Sequence, residues 1–178
     1  MMIGGVFMAG ADISAENKPG DWQTKLEKEL PMLGHRNWIV VVDSAYPGQI
    51  SPGIETVRVV GNDHLQAVKL ALKAVNSAKH VRGNVYLDAE LEHVSDKDAP
   101  GIADFRKKLD VLVKSQAIKR LPHEEIIKKL DVAAKTFKVL VLKTDLTLPY
   151  TSVFIELDCG YWSKEAEDRL RESMSKTK

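Results

Sequence analysis

Apolar residues follow two alternating rhythms along this chain: unbroken runs of a few residues, and sets spaced three or four apart. An unbroken run between turn formers marks a strand buried on both faces, whereas the wider spacing marks one face of a helix. Trp38-Ile39-Val40-Val41-Val42 is the clearest run. Before it, Trp22, Leu26, Leu30 and Leu33 recur at helical spacing in a helix opened by Gly20 or Asp21, and Pro31 predicts a distorted last turn. After it come a strand over 55–60, entered through the turn Ser51-Pro52-Gly53, and a helix through Leu65, Val68, Leu72 and Val75 that Asn62 or Asp63 can cap. A strand over 84–87 leads to the turn-rich segment 95–101 and a helix carrying Ile102, Phe105, Leu109 and Leu112. The rest reads as a short strand over 118–121, a helix over 122–130, and strands over 138–142 and 153–157.

This alternation predicts one α/β domain of three layers, a mainly parallel central sheet flanked by helices. No internal repeat or low-complexity linker divides it. Residues 1–20 read as an N-terminal extension, 21–162 as the domain and 163–178 as a charged helix after it.

Composition sets bounds on function. A chain of 178 residues, 44% hydrophobic, can bury one substantial core. With 26 basic and 25 acidic side chains the net charge is +1, so nothing draws the protein to nucleic acid or to an anionic membrane. A neutral small molecule fits that balance. Cys159 is the single cysteine and cannot form an intrachain disulfide, which makes the cytoplasm the default location. Met1–Gly10 is apolar and uncharged, lacks the basic start of a signal peptide and is too short to span a bilayer. A mature fragment of an exported precursor would look the same, so secretion stays open beside a flexible or docking N-terminus. No phosphate-cradling glycine loop is present, which argues against an NAD enzyme or an ATPase.

The candidate chemistry brackets the clearest strand. Gly34-His35 precedes it and Asp43-Ser44-Ala45-Tyr46-Pro47 follows. Ligands of open α/β sheets bind at the carboxyl ends of strands, so Asp43 reads as a ligand contact, although an Asx turn would use the same residue. Further on come Leu121-Pro122-His123-Glu124-Glu125, Lys143-Thr144, and Pro149-Tyr150-Thr151-Ser152 entering the strand Val153-Phe154-Ile155. Each has a plain structural reading: a helix start for His123, packing for Tyr150. Asp88, Glu90 and Glu92 would share a strand face, with His93 next, and so invite a metal reading. Without a second cluster at ligand spacing, a solvated strand exit is favoured. His64 reads as helix-start chemistry, His80 as an exposed helix end and Cys159 as a small core or turn residue.

Taken in order, these segments resemble the family of D-ribose pyranase and L-fucose mutarotase, from about Leu33 to Gly160. The Gly34-His35 pair and the strand ending Val42-Asp43 resemble the family's Gly-His followed by a strand ending in Ala-Asp. Pro122-His123-Glu124 stands for its Ser-His-Glu, and Pro149-Tyr150-Thr151-Ser152 for its Pro-Tyr-Ala-Asn entry to the last strand. The departures are Lys143 for a common Arg, Asp145 for a frequent Gly, Asn37 for an acidic residue and Ser152 for an amide.

The resemblance implies cofactor-independent interconversion of ring forms of a free monosaccharide, with no metal or organic cofactor, in ring-shaped homo-oligomers with sites at subunit contacts. Imidazole suits such chemistry because it can give and take a proton near neutral pH. His35 is then the acid/base and Asp43 the catalytic partner that accepts hydrogen bonds from sugar hydroxyls. His123, Lys143, Tyr150 and Ser152 join Asp43 as substrate-binding residues. With Pro122 at the first helical position, His123 falls in the first turn, where the helix dipole favours a neutral ring. Tyr150 offers a hydroxyl and an apolar ring face. The alternative is a non-catalytic sugar-binding or structural oligomer that keeps the fold, favoured by the departures at Lys143, Asp145 and Ser152. Geometry adds one expectation: five strand steps of about 3.3 Å put Trp38 and Asp43 roughly 17 Å apart, so unless the loop at Gly34 folds back, His35 and Asp43 meet one sugar across subunits.

Overall fold

The computed structural model describes residues 18, 20–61 and 63–176. The stretch Met1–Gly10 and Asn62 as an alternative cap lie outside the described residues. Six strands form one sheet: β1 Trp38–Val42, β2 Ile54–Arg58, β3 Val81–Asp88, β4 Ala117–Leu121, β5 Val139–Lys143 and β6 Val153–Cys159, in spatial order β2-β5-β1-β6-β3-β4. β2, β5 and β1 run parallel, as do β3 and β4, while β6 lies antiparallel between β1 and β3. The carboxyl ends of five strands therefore share one edge with the start of β6.

Among the described residues there are five α-helices: α1 Asp21–Glu29, α2 His64–Ser77, α3 Ile102–Val113, α4 His123–Ala133 and α5 Lys164–Lys176. The central strands β1 and β5 carry unbroken apolar runs because both of their faces are covered. Ile39, Val41, Leu140 and Ile155 pack with Trp22, Leu26, Val68, Leu72, Ile102 and Leu109 of α1, α2 and α3. Trp38, Val40, Val42, Val141 and Phe154 meet Ile126 and Leu130 of α4 on the other face. This is the expected three-layer arrangement. α5 buries no residue. Among the described residues no helix is long and apolar enough to cross a membrane.

Local signals act as expected at several boundaries. Pro31 ends α1 in a 3-10 turn over Leu30–Met32, and the Asp63 carboxylate caps α2 by accepting from the Gln66 amide. Pro122 sits one residue earlier than expected: it is the N-cap of α4, which makes His123 the first helical residue. β3 is longer than the expected 84–87 and stops at Asp88, where a 3-10 turn over Ala89–His93 replaces the anticipated strand exit.

Candidate functional site

The register of the sheet sets the site. Val41 of β1 and Leu87 of β3 both pair with Val153 of β6, and Asp88 pairs with Leu121 of β4. One step beyond Val153, Ser152 falls between the ends of β1 and β3, so Asp43, Ser152, Asp88 and His123 form a row across four adjacent strands at their shared edge.

Asp88 is the residue that sequence reasoning misplaced. Expected in solvent, it is buried with no side-chain exposure, and its Oδ1 lies 3.1 Å from Nδ1 of His123. Its Oδ2 is buried without a hydrogen-bond partner. Burial, with the charges of Glu90 and Asp43 adding to it and His123 opposing, pushes the Asp88 carboxyl up to about 6. Glu90 is not solvated decoration either: both its oxygens accept from the His123 backbone amide at 3.0 Å and so neutralise the start of α4. A readable signal existed. The apolar run Val85-Tyr86-Leu87 delivers Asp88 to a strand's carboxyl end as Val40-Val41-Val42 delivers Asp43.

Asp43 makes the Asx turn considered for it. Its Oδ1 accepts from the Ala45 amide at 2.8 Å in an Asx turn, and its Oδ2 receives the Ser152 hydroxyl at 3.4 Å. Ser152 is 3% exposed, so it supports Asp43 from below. Tyr150 meets the His123 ring edge-on at 5.9 Å and is partly exposed. Its φ of 57° is a conformation tyrosine rarely adopts, held by the Thr151 hydroxyl on the Leu148 carbonyl. Lys143 donates to the Tyr46 carbonyl and so steadies the loop after β1.

Behind the row, His64 is buried rather than merely opening α2, and its Nδ1 lies 2.9 Å from the Thr144 hydroxyl. That hydroxyl donates to the Val42 carbonyl, so Nδ1 carries the proton and the ring is the donor. Burial holds His64 down to about 4, against the Thr151 backbone and the charges of Asp43 and Asp63. His80, expected exposed, is half-buried with Nε2 near the Leu30 and Leu33 carbonyls. No cluster of His, Cys, Asp and Glu among the described residues could hold a metal ion.

His35 stands at the opposite edge. The Asn37 carboxamide accepts from the Gly34 amide, Arg36 takes a φ of 74° and its amide binds Leu157, so a tight turn presents the imidazole to solvent, 60% exposed. Its Nε2 lies 3.7 Å from Oδ1 of Asp158. With β1 between them, His35 and Asp43 do not meet in one chain. A hollow of 880 Å³ between α1 and α2, lined by Leu26, Leu30, Leu70 and Ala74, touches neither.

No family model and no curated protein matches this sequence. Solved structures do. The fold is similar to that of Bacillus subtilis RbsD, solved with D-ribose, at a TM-score of 0.54 and 21% identity over 86% of this chain and 98% of the other. FucU from Bifidobacterium longum follows at 0.53 and 18% identity, covering 76% and 94%. The fucose mutarotase of Streptococcus pneumoniae, solved with L-fucose, aligns at 0.51 and 17% identity, covering 83% and 96%. The single α/β domain with its mostly parallel six-stranded sheet is the fold of these proteins.

Proposed function

We propose that this chain is a cofactor-independent monosaccharide mutarotase or pyranase of the cytoplasm, with residues 21–162 as its sugar-handling unit. The observation that carries the reading is the row Asp43, Ser152, Asp88 and His123 across adjacent strand ends, in a fold shared with proteins solved with ribose and fucose. Asp43 and His123 are the partly exposed members of that row, and their acceptor and ring nitrogen suit a hydroxyl-rich ligand.

In the reaction a base takes the anomeric hydroxyl proton while an acid protonates the ring oxygen. The C1–O bond breaks as the C1 carbonyl forms, the open chain rotates or presents another hydroxyl, and the same groups reverse their roles to close the ring. Asp43 orients the sugar by accepting from its hydroxyls, and Tyr150 covers the C–H face. His35 supplies an acid/base from the neighbouring subunit of a ring-shaped homo-oligomer, because its turn holds it exposed and a strand's length from the row.

Saturation-transfer NMR of anomer exchange, with and without protein, over a panel of free pentoses, hexoses and deoxyhexoses tests this. Acceleration with at least one sugar is expected. Binding without acceleration identifies a non-catalytic sugar-binding module, and neither effect with any sugar overturns the sugar reading.

A further inference from the structure

The hydrogen bond between Asp88 and His123 has a chemical consequence that sugar binding alone does not require. A carboxylate whose Oδ1 faces Nδ1 of an imidazole accepts the proton there, and the other ring nitrogen is left with a lone pair. Asp88 has no side-chain exposure and cannot swing away, while the His123 side chain is 34% exposed. The His123 Nε2 makes no hydrogen bond to a described residue; Tyr150 meets the ring edge-on at 5.9 Å, and Glu90 accepts from the His123 backbone amide.

We infer that Asp88 is a positioning residue that fixes His123 as the Nδ1–H tautomer, so that Nε2 is a proton acceptor in the sugar site and works opposite His35 of the neighbouring subunit. The inference rests on the mutarotase reading for its substrate and on this chain's own geometry for the tautomer. In ring opening, Nε2 takes the anomeric hydroxyl proton, the His35 imidazolium gives its proton to the ring oxygen, and the C1–O bond breaks as the C1 carbonyl forms. Closure returns both protons. Asp88 faces the imidazolium formed in the first half of this cycle, and its unpartnered Oδ2 stays inside the fold throughout.

The test is ¹⁵N NMR of the His123 ring together with exchange kinetics, on the wild type and Asp88→Asn, with His123→Gln to assign the signals. The wild type is expected to carry the neutral-ring proton on Nδ1. Asp88→Asn, which keeps the shape, should mix the tautomers and slow exchange by about 10- to 100-fold with KM little changed, less than the roughly 10²- to 10⁴-fold of losing a general acid or base outright. A wild-type ring protonated on Nε2 overturns the inference, as does an Asp88→Asn protein with unchanged tautomer and rate. A wild-type Nδ1–H ring in a protein that accelerates no sugar overturns the functional reading and the role given to Nε2, and leaves Asp88 as the residue that orients the ring.

Discussion

The two edges of the sheet handle charge in opposite ways. At the amino edge, where parallel strands begin, opposite charges are matched: Lys25 and Lys138 both bridge Glu29 and Glu55, and Arg82 holds Asp158 beside His35. Lys138 and Lys25 hold the Glu29 carboxyl below the usual range, as Lys25 and Lys138 hold Glu55; burial works against Asp158, yet Arg82 and the Cys159 amide keep it low. At the carboxyl edge a buried carboxylate is pushed up to about 6 and a buried imidazole down to about 4. The first edge is arranged for stability. The second keeps groups that folding alone disfavours, which is where chemistry is expected.

The largest effect that would break this contrast concerns His35, the one group at the amino edge assigned a chemical role. His35→Ala should slow anomer exchange by about 10²- to 10⁴-fold while leaving the melting temperature nearly unchanged, because the side chain is exposed and packs little. Unchanged exchange would return His35 to the structural edge.

Asp88 offers the largest stability effect. Its folded value of about 6 lies above the ordinary 3.8, so the folded state holds the proton more tightly and stability falls as pH rises from 3.8 through 6. His64 acts in the opposite sense: with a folded value of about 4 against an ordinary 6.5, its contribution is full above 6.5 and is lost as pH falls toward 4. The two slopes oppose each other in the wild type. Asp88→Asn should therefore gain at most about 3 kcal/mol near neutral pH, lose that gain below pH 4, and uncover the His64 slope. Urea unfolding at both pH values measures this, and a change of equal size at the two would remove Asp88 as its source.

A smaller effect is expected at Ser152. The sequence suggests a residue partly open to the cleft, whereas the buried hydroxyl bonded to Asp43 predicts that Ser152→Ala costs about 0.5–1.5 kcal/mol and leaves the ranking of sugars unchanged. Thermal melts and the sugar panel on one variant separate the two. The smallest effect belongs to the amino edge: Glu55→Gln should lower the melting temperature by no more than roughly 2–4 °C, with the loss shrinking in high salt.

The layers were legible in the sequence because apolar periodicity is a direct trace of burial: Trp38–Val42 reads as a fully buried strand, and the run read over 138–142 is the strand Val139–Lys143. The antiparallel course of β6 was not, since nothing in Val153–Cys159 records which neighbour it joins or in which sense. Asp43 and His123 were legible as a strand exit and a helix start. Asp88 was obscured by Glu90 and Glu92, whose alternation with it imitates a solvated strand, and the turn at Ala89 that sends them different ways is a tertiary event. The burial of Ser152, whose hydroxyl bonds Asp43, was not legible because its depth is set by the two flanking strands.

The account's central claim is that a site at the carboxyl edge of one chain is completed by His35 from another. Mixing His35→Ala chains with Asp43→Ala chains, each inactive alone, under conditions where labelled subunits are seen to exchange, tests it directly. The account predicts that anomer exchange returns in the mixture, because some contacts then pair an intact His35 with an intact carboxyl edge. No recovery despite demonstrated subunit exchange would contradict it and place every reacting group within one chain.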